Sequence, residues 1–307
     1  VDLGAIQNAA GPGNPRAAAR WRHFDAHWES GYLYRRLIVE RDGRPVAYAH
    51  YCQTPWSEVP GKFQIGCTVH PDQRRRGVAR AAYDHVMAAL APHAPAQVIA
   101  DAREDQPDAL AFLARRGFET RMRFMHSQLA LADFDPARFA GLTAKLATAG
   151  LRLESLAALA RRDPEGWRRK WYELICDLLV DVPAPDPIRP EPFEAFCARI
   201  AAHPNFDPAA HFVALDGEAW VGYSGLWPNE VEADRFDTGL SGVRRSHRRK
   251  GVCTALKVRG IAYAKGRGVA RIKTDNEEHN PMYQLNLALG FKPQPAWINH
   301  VKAMAGA

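Results

Sequence analysis

One order of features occurs twice in this chain, and the repetition limits the fold more than any other property. A β-branched run, Phe63-Gln64-Ile65-Gly66-Cys67-Thr68-Val69, leads into the basic turn Gln73-Arg74-Arg75-Arg76-Gly77 and then into Val78–Leu90. That last stretch has strong helix formers and apolar residues at helical spacing. Asp237-Thr238-Gly239-Leu240-Ser241-Gly242-Val243 leads in the same way into Arg244-Arg245-Ser246-His247-Arg248-Arg249-Lys250-Gly251, and then into a helix from Val252 to about Lys265. Each copy continues with a short strand, a polar turn and a helix that closes on Gly-Phe. The turn glycine precedes the closing glycine by 40 residues in the first copy (Gly77 to Gly117) and 39 in the second (Gly251 to Gly290). Upstream, hairpins around Asp42-Gly43 and Asp216-Gly217 also match. A shared order of this length marks an internal duplication.

The 307 residues, 47% of them hydrophobic, accommodate two domains of about 150 residues each. The boundary is predicted near Thr148, giving domains 1–148 and 149–307, with a short helix at about Ala137–Ala147 before it and a helix around Glu165–Asp181 after it. Five prolines between Val182 and Pro192 predict an extended loop, either a passive connector or a segment lying across a cleft. No apolar run reaches the roughly 18–20 residues of a membrane helix, so a spanning protein is not expected. No signal-peptide pattern opens the chain. The five widely spaced cysteines contain no CxxC, which predicts no disulfide framework, no zinc site and a reducing cytoplasm. The twelve histidines are scattered, so no metal is expected.

The chain has a net charge of +7, and the two turns are its densest basic runs. A glycine-containing turn entering a helix aims several backbone N–H groups at one point, and the helix terminus adds partial positive charge. Arginine and lysine at the same place favour phosphate or pyrophosphate. The other readings are a solvated basic loop and a nucleic-acid patch; the latter lacks any dedicated DNA-reading motif.

With these motifs in place, the chain resembles two consecutive GCN5-related N-acetyltransferase (GNAT) domains. The family turn, Q/R-x-x-G-x-G/A, is matched by Arg74-Arg75-Arg76-Gly77-Val78-Ala79, and by Arg248-Arg249-Lys250-Gly251-Val252-Cys253 with cysteine in its last place. The resemblance implies an α/β fold of two tandem acyl-CoA N-acyltransferase domains, each a mixed, mostly antiparallel sheet flanked by helices. It implies acetyl-CoA as co-substrate, with each turn holding its pyrophosphate, on residues 74–79 and on 248–253 with Thr254. The pantetheine arm would pair with backbone at Cys67 and Val69, or at Ser241 and Val243, and Asn280 or its neighbour His279 would hold the arm. The partners are then a CoA thioester and an amine, with no nucleic acid and no membrane, in a monomer or homodimer.

Family members often carry a catalytic carboxylate on the strand before the turn. Counting back from the turn places Asp237 there in the second half and Phe63 in the first. The customary acid is a tyrosine four residues before the glycine of Gly-Phe, where this chain has Leu113 and Asn286. Tyr283, one turn before Asn286, is a substitute or a packed core residue, and Asn286 is a candidate hydrogen-bond donor to the thioester. The C-terminal half is therefore expected to be the transferase. The N-terminal half is expected to bind CoA without turnover or to be structural. A non-catalytic acyl-CoA sensor is the competing expectation.

Overall fold

The computed structural model describes residues 3–11 and 15–304. Its strands are β1 (Tyr34–Arg41), β2 (Arg44–Gln53), β3 (Lys62–Val69), β4 (Gln97–Arg103), β5 (Glu119–Ala130), β6 (Leu151–Ser155), β7 (His211–Asp216), β8 (Ala219–Pro228), β9 (Arg235–Val243), β10 (Arg271–Glu277) and β11 (Lys292–Ala303). The helices are α1 (Leu3–Ala10), α2 (Ala18–Ala26), α3 (Val78–Leu90), α4 (Pro107–Ala114), α5 (Leu142–Thr148), α6 (Leu156–Arg162), α7 (Trp167–Leu179), α8 (Phe193–Phe196), α9 (Val252–Gly266) and α10 (Pro281–Ala288). The helix expected at about Ala137–Ala147 is split into a 3-10 turn, Pro136–Phe139, and α5.

Contacts divide the chain into two units that are discontinuous in sequence. Unit one is Val1–Phe124, Ala184–Arg189 and Pro295–Ala307; unit two is Met125–Pro183 and Pro190–Gln294. These units differ from contiguous halves at 1–148 and 149–307, because each completes its sheet with a strand from the far side of the duplication. Unit one runs β1-β2-β3-β4-β11 and unit two runs β5-β10-β9-β8-β7-β6. In unit one, β11 lies antiparallel to β4 from Trp297–Arg103 to Ala303–Gln97.

The hairpins form where Asp-Gly turns were expected. In each copy the strand before the basic turn pairs antiparallel with its hairpin neighbour and parallel with the strand that follows the helix. α3 has Ala82, Val86 and Leu90 at intervals of four, and this stripe packs on Phe63, Ile65 and Val98. In unit two α9 covers one sheet face. α7 covers the other with Trp167, Trp171, Leu174 and Leu178, which pack on Val213, Leu215 and Tyr223. The aromatic residues of α7 are thus mainly core. The segment 184–189 is not a passive connector. Within unit one, Asp186 pairs with the buried Lys62, and Arg189 forks onto both carboxylate oxygens of Glu29 at 2.8 Å.

Candidate active site

Both basic turns have the same backbone. Arg75 (φ 60°) and Gly77 (φ 82°) in unit one, and Arg249 (φ 64°) and Gly251 (φ 84°) in unit two, all lie in the left-handed region. Alternating such residues with ordinary ones turns successive N–H groups toward one point, which is an anion nest. The first helical hydrogen bonds run from Ala81 to Gly77 and from Ala255 to Gly251. The amides of Val78, Ala79 and Arg80, and those of Val252, Cys253 and Thr254, therefore precede the helical ladder and point out of the helix end. At Gly251 a side chain would be strained by φ and would also meet Leu142 Cδ1 at 2.9 Å.

The turn side chains are arranged differently in the two units. Arg74 reaches the carbonyl of Val69 at 3.4 Å, Arg75 pairs with Asp108 at 2.9 Å, and Arg76 is exposed. In unit two Arg248 donates Nε to the carbonyl of Val243 at 2.9 Å, and both Arg248 and Arg245 grip Asp181. The Arg245 hydrogen bond, reinforced by Arg248, holds the Asp181 carboxyl below its ordinary range. Arg249 and Lys250 are exposed. A cleft of about 460 Å³ opens beside this turn, lined by Gly251 and Thr254 and by the cationic Arg138 and Lys145.

Next to each turn the parallel strand pair splays. In unit two β9 and β10 are in register from Arg235–Arg271 to Asp237–Lys273, and there the ladder ends. In unit one β3 and β4 are in register from Lys62–Gln97 to Gln64–Ile99. Beyond these points Thr238–Val243 and Ile65–Val69 border a gap, and that stretch includes the predicted pantetheine contacts Cys67 and Val69, or Ser241 and Val243. The two units differ at one residue. β2 and β3 pair without interruption from Ala47–Val69 to Gln53–Phe63. β8 and β9 slip between Ser224–Ser241 and Leu226–Thr238, so β9 has one extra residue and a bulge at Gly239 and Leu240. A bulge leaves main-chain groups out of the ladder, and here it lies where the gap opens.

The bulge also corrects the counting. Asp237 ends the parallel ladder and faces Trp227; Gln64 ends its own ladder and faces Cys52. The structural counterpart of Asp237 is therefore Gln64, and Phe63 corresponds to Phe236. Counting back from the turn is off by the extra residue. Around Asp237, Arg235 Nε approaches at 3.0 Å and Asn229 Nδ2 donates at 3.0 Å. Arg235 is 1% exposed and also pairs with Glu232. Glu232 and Asp234 further pair with Arg271. Most of the acidic stretch before β9 is thus engaged by its own arginines.

The α10 candidates separate into different roles. Asn280 caps the helix, its Oδ1 accepting from the Met282 amide at 2.9 Å. His279 is exposed, and its amide donates to Glu277. Tyr283 is 8% exposed. Asn286 is fully buried; it donates Nδ2 to Asn276 Oδ1 at 2.6 Å, while its own Oδ1 has no hydrogen-bond partner. Cys253 fits the turn, its thiol donating to Met282 Sδ at 3.7 Å.

Sequence reasoning missed one group altogether. His211 of β7 is fully buried, its Nδ1 lies 2.6 Å from Tyr223 Oη, and its Nε2 is unpartnered. Burial pulls its pKa down to about 3, so the ring is neutral. Cβ atoms at Gly225 and Gly239 would collide with Tyr223 Oη and Trp227 Nε1, at 2.4 and 2.6 Å. The strand alternation of β7 placed His211 inward, but nothing local marked it. In unit one His50 holds the position of Gly225, and a Cβ on Gly66 would lie 2.3 Å from its ring.

A parallel pair that splays beside a strand–nest–helix unit occurs in both units, as the resemblance to tandem GNAT domains implied. Comparison with known proteins agrees. The Acetyltransferase (GNAT) family matches residues 5–118 and 159–291, and the chain belongs to that family. A mycothiol acetyltransferase of Clavibacter michiganensis subsp. michiganensis (strain NCPPB 382) is 27% identical over 269 residues, covering 87% of this chain and 80% of that one. Among solved structures, a tandem GNAT protein from the clavulanic acid biosynthesis pathway superposes with a TM-score of 0.72 at 21% identity, covering 99% of this chain and 94% of its own. A GNAT protein from Sphaerobacter thermophilus gives 0.70 at 18% identity, covering 98% and 91%. These two likenesses establish the tandem GNAT fold. Among the described residues no helix is long and apolar enough to cross a membrane.

Proposed function

We propose that unit two transfers an acetyl group from acetyl-CoA directly to a primary amine of a small-molecule acceptor. The observation that carries this reading is the β9 bulge at the mouth of the β9–β10 gap, which has no counterpart in β3. The pyrophosphate would sit on the amides of residues 252–254 with Arg248, Arg249 and Lys250 around it. Pantetheine would lie along Ser241 and Val243, bringing the thioester to the bulge, where main-chain N–H stabilises the developing oxyanion. Asp237, at the end of the ladder, would accept the proton of the amine directly or through water. Asn286 Oδ1, buried without a partner, suits a donor on the incoming arm. The name of the Clavibacter relative supports acetyl as the transferred group.

In unit one the nest is intact but His50 occupies the place where unit two has Gly225, and β3 has no bulge. Unit one is read as a CoA-binding or structural copy without turnover. Calorimetric titration with acetyl-CoA counts the sites, and an amine panel followed by free-thiol release separates turnover from binding. Binding with no thiol release for any amine would favour an acyl-CoA-binding protein, the reading that the absent tyrosine at Asn286 also supports.

A further inference from the structure

Lys257 places an amine where charge is costly. It is 6% exposed in α9, and burial lowers its pKa against a weaker opposing pull from the Cys253 thiol one turn away. Among the described residues no hydrogen bond or ion pair holds its Nζ. Among the described residues Cys253 is the one titratable group that acts on it. β8 presents Leu226 to α9 nearby, and α10 contributes Met282 and Asn286, with Tyr283 as its ionisable residue.

Two contacts fix its level in the site. Val252 Cγ1 lies 3.3 Å from the Cβ position of Gly222, which pairs with Val243. Two turns further on, the Cβ position of Gly260 lies 3.2 Å from Leu226 Cδ1, and Leu226 pairs with Thr238. α9 therefore runs back along β9 from Val243 to Thr238, and Lys257 falls between these points, level with the bulge. Its side of the helix follows from the i, i+4, i+8 stripe Cys253, Lys257 and Ile261. Cys253 touches Met282 of α10, and Ile261 packs in the cluster that contains Ile272 of β10. Lys257 thus lies on the flank of α9 toward β10 and α10, over the gap. Asn286, with its unpartnered Oδ1, lies on α10 at the same gap. An uncommitted donor and an uncommitted acceptor are both left for a ligand to satisfy.

We propose that Lys257 delivers the proton to the departing CoA sulfur, doing from α9 what the family's customary tyrosine does from the position held here by Asn286. The inference rests on reading unit two as an acetyltransferase. The amine nitrogen forms the new C–N bond, the C–S bond breaks with its electron pair on sulfur, and a proton passes from the Lys257 ammonium to that sulfur. The proton lost by the amine leaves through Asp237 or water, and Lys257 is reprotonated from solvent. A buried lysine is better matched to a thiol than an exposed one, because the two proton affinities are closer.

The titration needs no acceptor amine; the thiol-release comparison uses an amine that the panel shows to be turned over. CoA binding to the full chain is measured by calorimetry, and the thiol of bound CoA is titrated by its thiolate ultraviolet absorbance against the same protein without CoA. In the wild type the bound thiol is expected to titrate at least about one pH unit below free CoA, a tenfold bias toward thiolate. Lys257→Met should abolish that shift while leaving CoA affinity within about threefold. Lys257→Arg should keep the shift, since the cation remains, yet slow thiol release from acetyl-CoA at least about tenfold, since arginine does not give up its proton. Identical titrations of wild type and Lys257→Met, with CoA bound to both, would overturn the proposal alone. Failure of the wild type to bind CoA would remove the transferase reading and this inference with it.

Discussion

Replacing Gly251 with alanine tests the nest at its most constrained atom. The backbone there has φ 84°, and a Cβ would stand 2.9 Å from Leu142 Cδ1. The left-handed conformation costs an L-residue about 1–2 kcal/mol, and the Leu142 methyl, at the end of a flexible side chain, can turn away for less. If the turn stays left-handed, the cost is a loss of stability of that size. If it relaxes, binding must restore it, so acetyl-CoA affinity falls by the same 1–2 kcal/mol, or about 5–30-fold. Two controls separate these outcomes. Gly217 (φ 55°) lies in the hairpin turn between β7 and β8, so Gly217→Ala should reduce stability but leave acetyl-CoA affinity unchanged. Gly77 (φ 82°) has open space around its Cβ position, and Gly77→Ala should leave turnover untouched. The assay is calorimetry with acetyl-CoA beside a urea midpoint for each variant. If Gly251→Ala keeps both the wild-type urea midpoint and acetyl-CoA affinity within twofold of the wild type, the strained backbone nest is not the grip.

Other consequences follow from individual contacts. Asp237→Asn is expected to keep acetyl-CoA affinity and lower turnover at least about tenfold; an unchanged rate removes Asp237 from the mechanism. Arg235→Met leaves the partly exposed Asp237 without its counter-charge, while Glu232 keeps Arg271, and should cost about 1–3 kcal/mol in a denaturant titration. His211 has its folded pKa depressed to about 3 from 6.5, so below pH 6.5 the unfolded chain binds a proton that the folded chain refuses. Its contribution is complete above pH 6.5 and is lost as pH falls toward 3, at up to about 1.4 kcal/mol per pH unit. His211→Phe should flatten the urea midpoint between pH 6.5 and 5 relative to wild type, and parallel profiles would show that the ring is not held neutral.

The duplication, both nests and the hairpins were legible in the sequence because they depend on neighbours within a few residues. Gly77 and Gly251, the apolar stripe of α3 and the Asp-Gly turns each state their conformation locally. The exchange of β5 and β11 was not legible, because a strand's partner in a sheet is chosen by long-range packing that its own residues do not encode. The bulge at Gly239 and Leu240 was hidden for a related reason. It shows as one extra residue between two ladders, and counting from the turn turned that residue into a misalignment of Phe63 with Asp237. Lys257 reads in sequence as an ordinary lysine in a helix, and its burial appears only once α9 is laid against the sheet. Asn280, read as a contact for the CoA arm, has its side-chain oxygen occupied as a helix cap, a role the following Pro281 already signalled.

The central claim is that unit two holds the CoA diphosphate on the amides that open α9 and presents the thioester at the β9 bulge. A crystal structure at saturating acetyl-CoA tests it most directly. The account predicts phosphate oxygens on the main chain of residues 252–254 and the sulfur between β9 and β10 beside Gly239 and Leu240. A structure in which that turn stays empty at saturation, or in which the sulfur lies away from the bulge, would contradict it.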